Sequence, residues 1–416
     1  MKDCFDPVLL YIDPSTGGML FSILFGLIGV VVYFFRSSWI KIRYGLGQKA
    51  AVRTDGMNIA IFTDHKRYWN IFEPILDELD RRGIECTYLT MSEDDPGLSK
   101  EYLHIRGEYI GSGNKAFARM NTLCANIVLS TTPSLDVFQW KRSKDVKCYV
   151  HIPHAASDIT MYRMFGIDYY DSILLSGNYQ IAQIRELERI RRLPDKELVI
   201  VGIPYMDCMR ERLDSALKQT SEVKTILVAP SWGDNSLLNR FGEKLIDALI
   251  NTGYEIVIRP HPQSYTAEAD MLGRLMEKYG DGSVNWNRDN DNSAILNKAD
   301  ILISDFSGVI FDFALVYDKP VIYADTSFDP SAYDCYQSEG RLWTFDALEK
   351  IGVKLSEEHI SGIKEIIDKC IDDPKAQRAR DEARDETWME RGKGAVNVAD
   401  YLENKLKHIT EEVQSE

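Results

Sequence analysis

The segment Ser304-Asp-Phe-Ser-Gly-Val-Ile-Phe-Asp312 joins two patterns that differ in period. The apolar run 299–304 is typical of a buried strand, and the pattern from Val309 to Val316 predicts a helix. The first backbone N–H groups of a helix have no internal partner and lie at the positive end of its dipole. A strand that ends in Ser-Gly where a helix begins therefore predicts an anion-binding turn.

A second polar segment, Arg259-Pro-His-Pro-Gln-Ser264, follows another apolar run, 254–259. If this segment stays extended, Arg259 and His261 lie on one side, because side chains in a strand repeat every two residues. A fixed cation, a titratable imidazole and an anion-binding turn at neighbouring strand ends suggest chemistry on a phosphate ester.

The rest of the chain alternates short Val-, Ile- and Leu-rich runs with helical patterns, which is typical of βαβ units and parallel sheets. The predicted strands lie at 58–62, 84–89, 127–130, 147–152, 173–175, 198–201, 225–229, 254–259, 300–303 and 320–323. The fold class is therefore α/β, with two Rossmann-like domains that face a cleft. We place the domains at 57–205 and 222–395, with a C-terminal helix and tail at 396–416. Ligands in such sheets bind beyond the carboxyl ends of the strands.

Composition excludes one class of partner. The chain has 416 residues and a formal net charge of −15, whereas a nucleic-acid-binding surface needs a basic patch. Its seven cysteines show no CxxC pair and no zinc spacing, which indicates reduced thiols in a cytosolic compartment.

The N-terminal region predicts a membrane anchor. No charged residue occurs from Pro14 to Phe35, and about 1.5 Å per residue makes this stretch long enough for a bilayer core of roughly 30 Å. We assign 1–18 to a short extracytoplasmic segment, 19–35 to a single transmembrane helix and 36–56 to a juxtamembrane linker. Basic residues follow the span, so the positive-inside rule puts the catalytic domains in the cytoplasm. A buried globular helix stays open as an alternative. A cleaved signal peptide is disfavoured, because the segment has neither the basic residues before the apolar run nor the small-residue cleavage site after it.

With these motifs in order, the chain resembles the CDP-glycerol glycerophosphotransferase family, which includes the teichoic-acid primases and polymerases. The resemblance covers about 120–405. It rests on Pro230-Ser-Trp232, Arg259-Pro-His-Pro262, the 304–312 segment, His154 with the segment 170–176, and Gly392-Lys-Gly-Ala395. It implies a GT-B architecture, CDP-glycerol as the donor, no required metal or other cofactor, and association with the cytoplasmic membrane face.

The resemblance also implies site residues. His154 is the candidate general base toward an acceptor hydroxyl, because an imidazole titrates near neutral pH, and His151 stays open as an alternative. His261 is the second catalytic candidate and would steady the charge that develops on the donor diphosphate. The candidate donor-binding residues are Arg259, Ser304, Asp305, Ser307, Gly308, Asp312, Ser231 and Trp232.

Several of these assignments have structural alternatives. Asp305 could orient His261 or bind a ribose hydroxyl, and Asp312 needs a polar partner in an apolar helix, whether donor hydroxyls or a neighbouring cation. Trp232 could close the cleft or belong to the core, and Ser307 could simply cap a helix.

The predicted function is the transfer of a glycerol-phosphate or related alditol-phosphate group to a hydroxyl of a lipid-linked or polymeric cell-envelope acceptor. Gly233 stands where family members commonly carry an arginine, which keeps open a GT-B glycosyltransferase with a nucleotide-sugar donor. A catalytically inactive, membrane-tethered binding protein is the third possibility.

Removal of residues 1–50 should release a folded protein into the soluble fraction, because the two predicted domains carry their own cores. Fractionation of cells that express the full chain or the shortened one checks this. Full-length protein in the soluble fraction without detergent would contradict the anchor.

Overall fold

Two parallel sheets organise the computed structural model, which describes residues 56–215, 223–289, 292–324, 328–371 and 373–415. The first sheet contains β1 (Met57–Thr63), β2 (Cys86–Thr90), β3 (Ile105–Tyr109), β4 (Ala125–Ser130), β5 (Val146–His151), β6 (Ser172–Leu175) and β7 (Glu197–Ile200). The second contains β8 (Thr225–Val228), β9 (Glu255–Ile258), β10 (Asn285–Trp286), β11 (Ile301–Ser304), β12 (Val321–Ala324) and β13 (Gly352–Leu355).

The two sheets share the same strand order over six strands, and the first sheet adds a seventh. The order is β3-β2-β1-β4-β5-β6-β7 in the first and β10-β9-β8-β11-β12-β13 in the second, with every pairing parallel. In each sheet the order of strand addition reverses between the first strand and the fourth, β1 and β4 or β8 and β11, which is the place where Rossmann-type sheets bind ligands. The prediction of two Rossmann-like α/β halves is confirmed. The sheets occupy 57–200 and 225–355.

Helices cover the faces of the sheets. They are α1 (Trp69–Arg81), α2 (Gly113–Met120), α3 (Tyr179–Arg191), α4 (Pro204–Ser215), α5 (Leu237–Ile250), α6 (Ser264–Ala267), α7 (Ala269–Lys278), α8 (Ser293–Lys298), α9 (Val309–Phe311), α10 (Trp343–Ile351), α11 (Ile363–Ile371), α12 (Pro374–Thr387) and α13 (Gly394–Ser415). Because helices bury both faces, central strands are continuous apolar runs, and all four residues of β8 and of β11 are buried.

The two halves share polar and aromatic contacts. Asp158 of the first half accepts hydrogen bonds from the N–H groups of Trp343 (3.0 Å) and Thr344 (2.7 Å), the first residues of α10. The Tyr179 ring stacks on Trp343 with centroids 4.0 Å apart. One hydrophobic cluster includes buried residues of both sheets, such as Leu129 and Leu302. Residues 56–416 accordingly form one compact unit.

The C-terminal segment returns to the first half. Helix α13 packs against α1, and the Asn397 side chain donates to the Val201 carbonyl (3.1 Å). Before α13, the Asp207 carboxylate accepts from Gly392 N (2.8 Å), Gly394 N (2.8 Å) and Trp388 Nε1 (2.9 Å). The Gly392-Lys-Gly-Ala segment thus has a structural role, because its main chain is attached to the first residues of α4.

The predicted transmembrane helix at 19–35 lies in residues 1–55, outside the described part of the chain. Within the described ranges, none of the helices combines the length and the apolar composition needed to cross a bilayer.

Replacing Asp207 by alanine should lower the free energy of unfolding by about 2–4 kcal/mol, because it leaves an indole N–H and two main-chain N–H groups without their acceptor. Urea unfolding followed by circular dichroism measures this. Asp400→Ala is the matched control, since it removes an exposed carboxylate that pairs with Arg82, and it should cost less than about 1 kcal/mol. Equal effects of the two substitutions would contradict the role of Asp207.

Candidate active site

The candidate site lies where the carboxyl ends of the two sheets meet. The loop after β5 carries His154, and the turn after β11 carries Ser307 and Gly308. A Cβ added to Gly308 would lie 3.4 Å from the Cβ of Ala155. The predicted anion-binding turn of the second half therefore contacts the predicted base loop of the first half.

His154 is half-buried among aromatic rings. Its ring centroid lies 5.3 Å from that of Tyr68 and 5.7 Å from that of Tyr162, and Nδ1 is 3.4 Å from the Tyr162 hydroxyl. Burial, aided by the positive charge of Arg67, lowers the pKa of His154 to about 4. The imidazole is therefore neutral at physiological pH and able to accept a proton.

His151, the alternative base, is completely buried. Its Nε2 lies 3.0 Å from the same Tyr162 hydroxyl, and burial lowers its pKa to about 3. A buried ring cannot contact an acceptor hydroxyl directly, so the geometry favours His154 as the base.

His261 follows β9 in the second half. Its Nδ1 accepts a hydrogen bond from Gln263 N (3.1 Å), so the neutral ring carries its proton on Nε2, where it can be donated. Burial and then the charge of Arg67 lower its pKa to about 4, whereas Glu268 acts in the opposite direction. A neutral N–H donor at this position suits an anionic ligand.

Arg67 is a residue that the sequence analysis missed. It lies on the exposed loop after β1, and its guanidinium stacks over the Tyr68 ring at 4.8 Å. Its charge lowers the pKa of both His154 and His261, which places it near both imidazoles. The signal available in the sequence was its position, since the loop after the first strand of a Rossmann-type sheet borders the ligand cleft.

Arg259 differs from its predicted place beside His261. Its Nη1 donates to Asn287 Oδ1, just beyond the edge strand β10. The charged groups that shift the pKa of His261 are Arg67 and Glu268. The cation that acts on His261 is therefore Arg67 of the first half, and the same cation acts on His154.

Ser304 and Asp305 support the site from within. The Ser304 hydroxyl donates to the Ala229 carbonyl (2.6 Å). The buried Asp305 carboxylate accepts from the N–H groups of Ser231 (2.9 Å), Phe306 (2.8 Å) and Leu237 (2.9 Å). The side chains of both residues thus have hydrogen-bond partners within the fold. Asp305 instead fixes the loop after β8 relative to the start of α5.

The loop after β8 presents an aromatic side chain to solvent. The Trp232 side chain is 44% exposed and lies 6.4 Å from the His261 ring, so Trp232 belongs to the cleft rather than to the core. Ser231 is buried behind it. The backbone at Gly233 has φ +98°, a conformation that residues other than glycine rarely adopt. The Gly233 N–H donates to the Glu268 carboxylate (2.9 Å).

Asp312 has a neutral partner. It accepts from the Tyr205 hydroxyl (2.8 Å), and burial raises its pKa to about 6. This hydrogen bond joins the two halves, and the predicted contact with donor hydroxyls stays a prediction. Asp312 begins a π-helical turn, 312–316, that continues α9, and such turns are frequent at functional sites.

Comparison with known proteins gives a consistent result. A protein-family model described as CDP-glycerol:poly(glycerophosphate) glycerophosphotransferase matches residues 155–404. The chain is 29% identical to the teichoic acid glycerol-phosphate primase of Bacillus spizizenii over 276 residues, which cover 62% of this chain and 66% of the primase.

The solved structure of the wall teichoic acid polymerase TagF is similar, with a TM-score of 0.58 at 16% identity over 91% of this chain and 98% of that chain. A putative UDP-N-acetylglucosamine 2-epimerase from Listeria monocytogenes also matches, with a TM-score of 0.52 at 12% identity over 83% and 95% of the two chains. At these identities the structural matches show the fold alone, and the TagF match confirms the GT-B-like arrangement.

Arg67→Gln should raise the pKa of both His154 and His261, because it removes a positive charge that disfavours the imidazolium forms. Both values should stay below the usual 6.5, since burial is the larger cause. NMR titration of the ¹⁵N-histidine-labelled chain measures the two values. Arg119→Gln, which breaks an ion pair with Glu108 elsewhere in the first half, is the control. Unchanged titration of both imidazoles in the Arg67 variant would contradict this electrostatic link.

Proposed function

The chain belongs to the CDP-glycerol:poly(glycerophosphate) glycerophosphotransferase family, and from this premise we propose that it transfers a glycerol-phosphate group from CDP-glycerol to an acceptor hydroxyl. The observation that carries the proposal is the contact of the Ser307-Gly308 turn of the second half with the loop that holds His154, where the charge of Arg67 helps to keep both His154 and His261 neutral. One can accept a proton, and the other can donate a hydrogen bond to an anion.

The reaction follows from these states. His154 takes the proton of the acceptor hydroxyl, and the oxygen attacks the donor phosphorus that bears glycerol. The bond from that phosphorus to the bridging oxygen breaks, and CMP leaves with the electron pair. The proton on His154 then passes to water, so the base is restored.

Groups of the second half would bind the donor. The N–H groups at the Ser307-Gly308 turn suit a phosphate, and the exposed Trp232 ring borders the same space as His261. His261 and Arg67 would stabilise the negative charge that develops on the departing CMP. Ser304, Asp305 and Ser231 would act on the donor only indirectly, through the shape of the loops.

We further propose that the acceptor is a lipid-linked or polymeric cell-envelope molecule at the cytoplasmic membrane face. The predicted span at 19–35 supports this, because it would keep the cleft beside membrane-bound acceptors. The similar primase and polymerase are both named for teichoic acid, which is a polymer of this kind.

Release of CMP from CDP-glycerol by the purified chain, with added bacterial membranes as a source of acceptor, tests the reaction. CDP-ribitol and UDP-sugars belong in the same assay. Nucleotide release from UDP-sugars alone would indicate a glycosyltransferase, and binding without release would indicate an inactive binding protein.

His154→Ala and His261→Ala should each stay folded and lose at least about 100-fold in the rate of CMP release, because general base catalysis is worth about 10²–10⁴-fold. Only His261→Ala should weaken binding of CDP-glycerol, since the base contacts the acceptor. The double variant should be little worse than the poorer single variant, because groups that act in one step are not additive.

His408→Ala provides the matched control, since His408 is exposed on α13, and its activity should be unchanged. Calorimetric titration with CDP-glycerol separates binding from turnover in each variant. Full activity in His154→Ala would end the role of that loop, and full activity in His261→Ala would contradict the proposed donor site.

A further inference from the structure

Tyr162 lies between His151 and His154 in the first half. Its hydroxyl is 3.0 Å from His151 Nε2 and 3.4 Å from His154 Nδ1. Its ring meets the His151 ring nearly at right angles, with centroids 5.2 Å apart. The three side chains form a row that begins at a fully buried imidazole and ends at the proposed base.

We propose that Tyr162 is a positioning residue that fixes the tautomer of His154, leaving Nε2 unprotonated to accept the proton of the acceptor hydroxyl. This inference rests on the proposed function, in which His154 is the general base. A histidine can act as a base at one ring nitrogen only if the proton of the neutral ring is held on the other.

The Tyr162 hydroxyl can hold the His154 proton on Nδ1 only if it accepts a hydrogen bond from that nitrogen. A tyrosine hydroxyl has a single proton, so it donates to one histidine and accepts from the other. If it donates to His151 Nε2, then it accepts from His154 Nδ1–H, and His154 Nε2 is free. If it donates to His154 Nδ1 instead, the His154 proton lies on Nε2 and the ring cannot act as a base there.

The distances favour the first direction. Bonds with an O–H donor are typically shorter than those with an N–H donor, and the contact with His151 is the shorter of the two. A hydrogen bond with the Ser130 backbone favours a proton on the His151 ring, and because Nε2 faces the Tyr162 hydroxyl, Nδ1 is the nitrogen left to carry that proton. A proton on Nδ1 leaves His151 Nε2 as the acceptor of the Tyr162 hydroxyl.

The neutral state of both rings is required for this arrangement. Burial lowers the pKa of His151 to about 3 and that of His154 to about 4, so neither is charged near pH 7. Burial also raises the pKa of the Tyr162 hydroxyl, so the phenol keeps its proton. The other groups that face His154 are Arg67, which disfavours imidazolium, and the Tyr68 ring.

The second half holds Tyr162 in place. The Tyr162 carbonyl accepts from Asp334 N (2.9 Å), and the Asp334 carboxylate accepts from Phe165 N (2.6 Å) and Gly166 N (3.0 Å). A Cβ on Gly166 would lie only 2.5 Å from the Tyr162 Cβ, so the loop packs tightly behind the ring. The orientation of the base therefore depends on contact between the two halves.

Tyr162→Phe tests the proposal, because it keeps the ring and removes only the hydroxyl. Long-range ¹H–¹⁵N spectra of the full ¹⁵N-histidine-labelled chain distinguish protonated from unprotonated ring nitrogens, and His154→Asn assigns the signal among the seven histidines. The native protein should show His154 protonated at Nδ1. The Phe variant should show a mixture of tautomers or protonation at Nε2.

The kinetic effect should be confined to turnover. We expect kcat for CMP release to fall about 10- to 100-fold in Tyr162→Phe, as is typical when the partner of a functional histidine is lost, with KM for CDP-glycerol within about threefold. Tyr170→Phe is the matched control. It removes a buried hydroxyl that donates to the Thr132 carbonyl beside the same His151 ring, and it should leave both the His154 tautomer and kcat near native.

The spectra keep this test separate from the proposed function, since the tautomer is measured without substrate. A native His154 protonated at Nε2, or a Tyr162→Phe variant with the native tautomer, would overturn the inference even if CDP-glycerol is turned over. A loss of kcat in Tyr162→Phe without a change of tautomer would assign Tyr162 a purely structural role and would also overturn it.

Discussion

Partial burial of two imidazoles is the physical constraint on which the proposed site depends. Burial is the largest cause of the low pKa values of His154 and His261, and the charge of Arg67 adds to it. The state of His261 depends on both halves, because Arg67 follows the first strand of the first half and acts on this histidine of the second. The cleft thus requires both halves of one compact unit, held by contacts such as those of Asp158 with α10.

Buried carboxylates fix the positions of loops by accepting hydrogen bonds from their main-chain N–H groups. Asp305 connects the loop after β8 to the start of α5, and Asp207 connects the C-terminal segment to α4. Each accepts three hydrogen bonds from N–H groups, which offsets the cost of burying a carboxylate. Asp305 and Asp207 therefore shape the site by holding its loops, whereas Ser307 and Gly308 are partly exposed.

The repeated parallel architecture could be predicted from the sequence because central strands such as β8 and β11 are continuous apolar runs. The strands that escaped prediction are β3, β10 and β13, which all lie at sheet edges. An edge strand is covered on fewer sides, so β3, with the sequence Ile-Arg-Gly-Glu-Tyr, has polar residues that hide its periodicity.

Side-chain partners were harder to predict than strands. Arg67 is distant in sequence from His261, and only the fold brings the two together. Tyr162 is only 11 residues from His151, but no motif relates the two. Asp312 was expected to need a partner, and a partner is present, but no spacing rule relates it to Tyr205, 107 residues earlier. The Asp312 carboxylate does have a hydrogen-bond partner, and this partner is the phenol of Tyr205 from the other half.

The low pKa of His154 connects base strength to donor binding. A base with a pKa of about 4 is neutral in the empty site but holds a transferred proton poorly. A donor diphosphate at the Ser307-Gly308 turn would bring negative charge close to this loop, because Gly308 contacts Ala155. A negative charge near the imidazole favours the imidazolium and acts against the effects of burial and of Arg67. The base would therefore gain strength when the donor is in place.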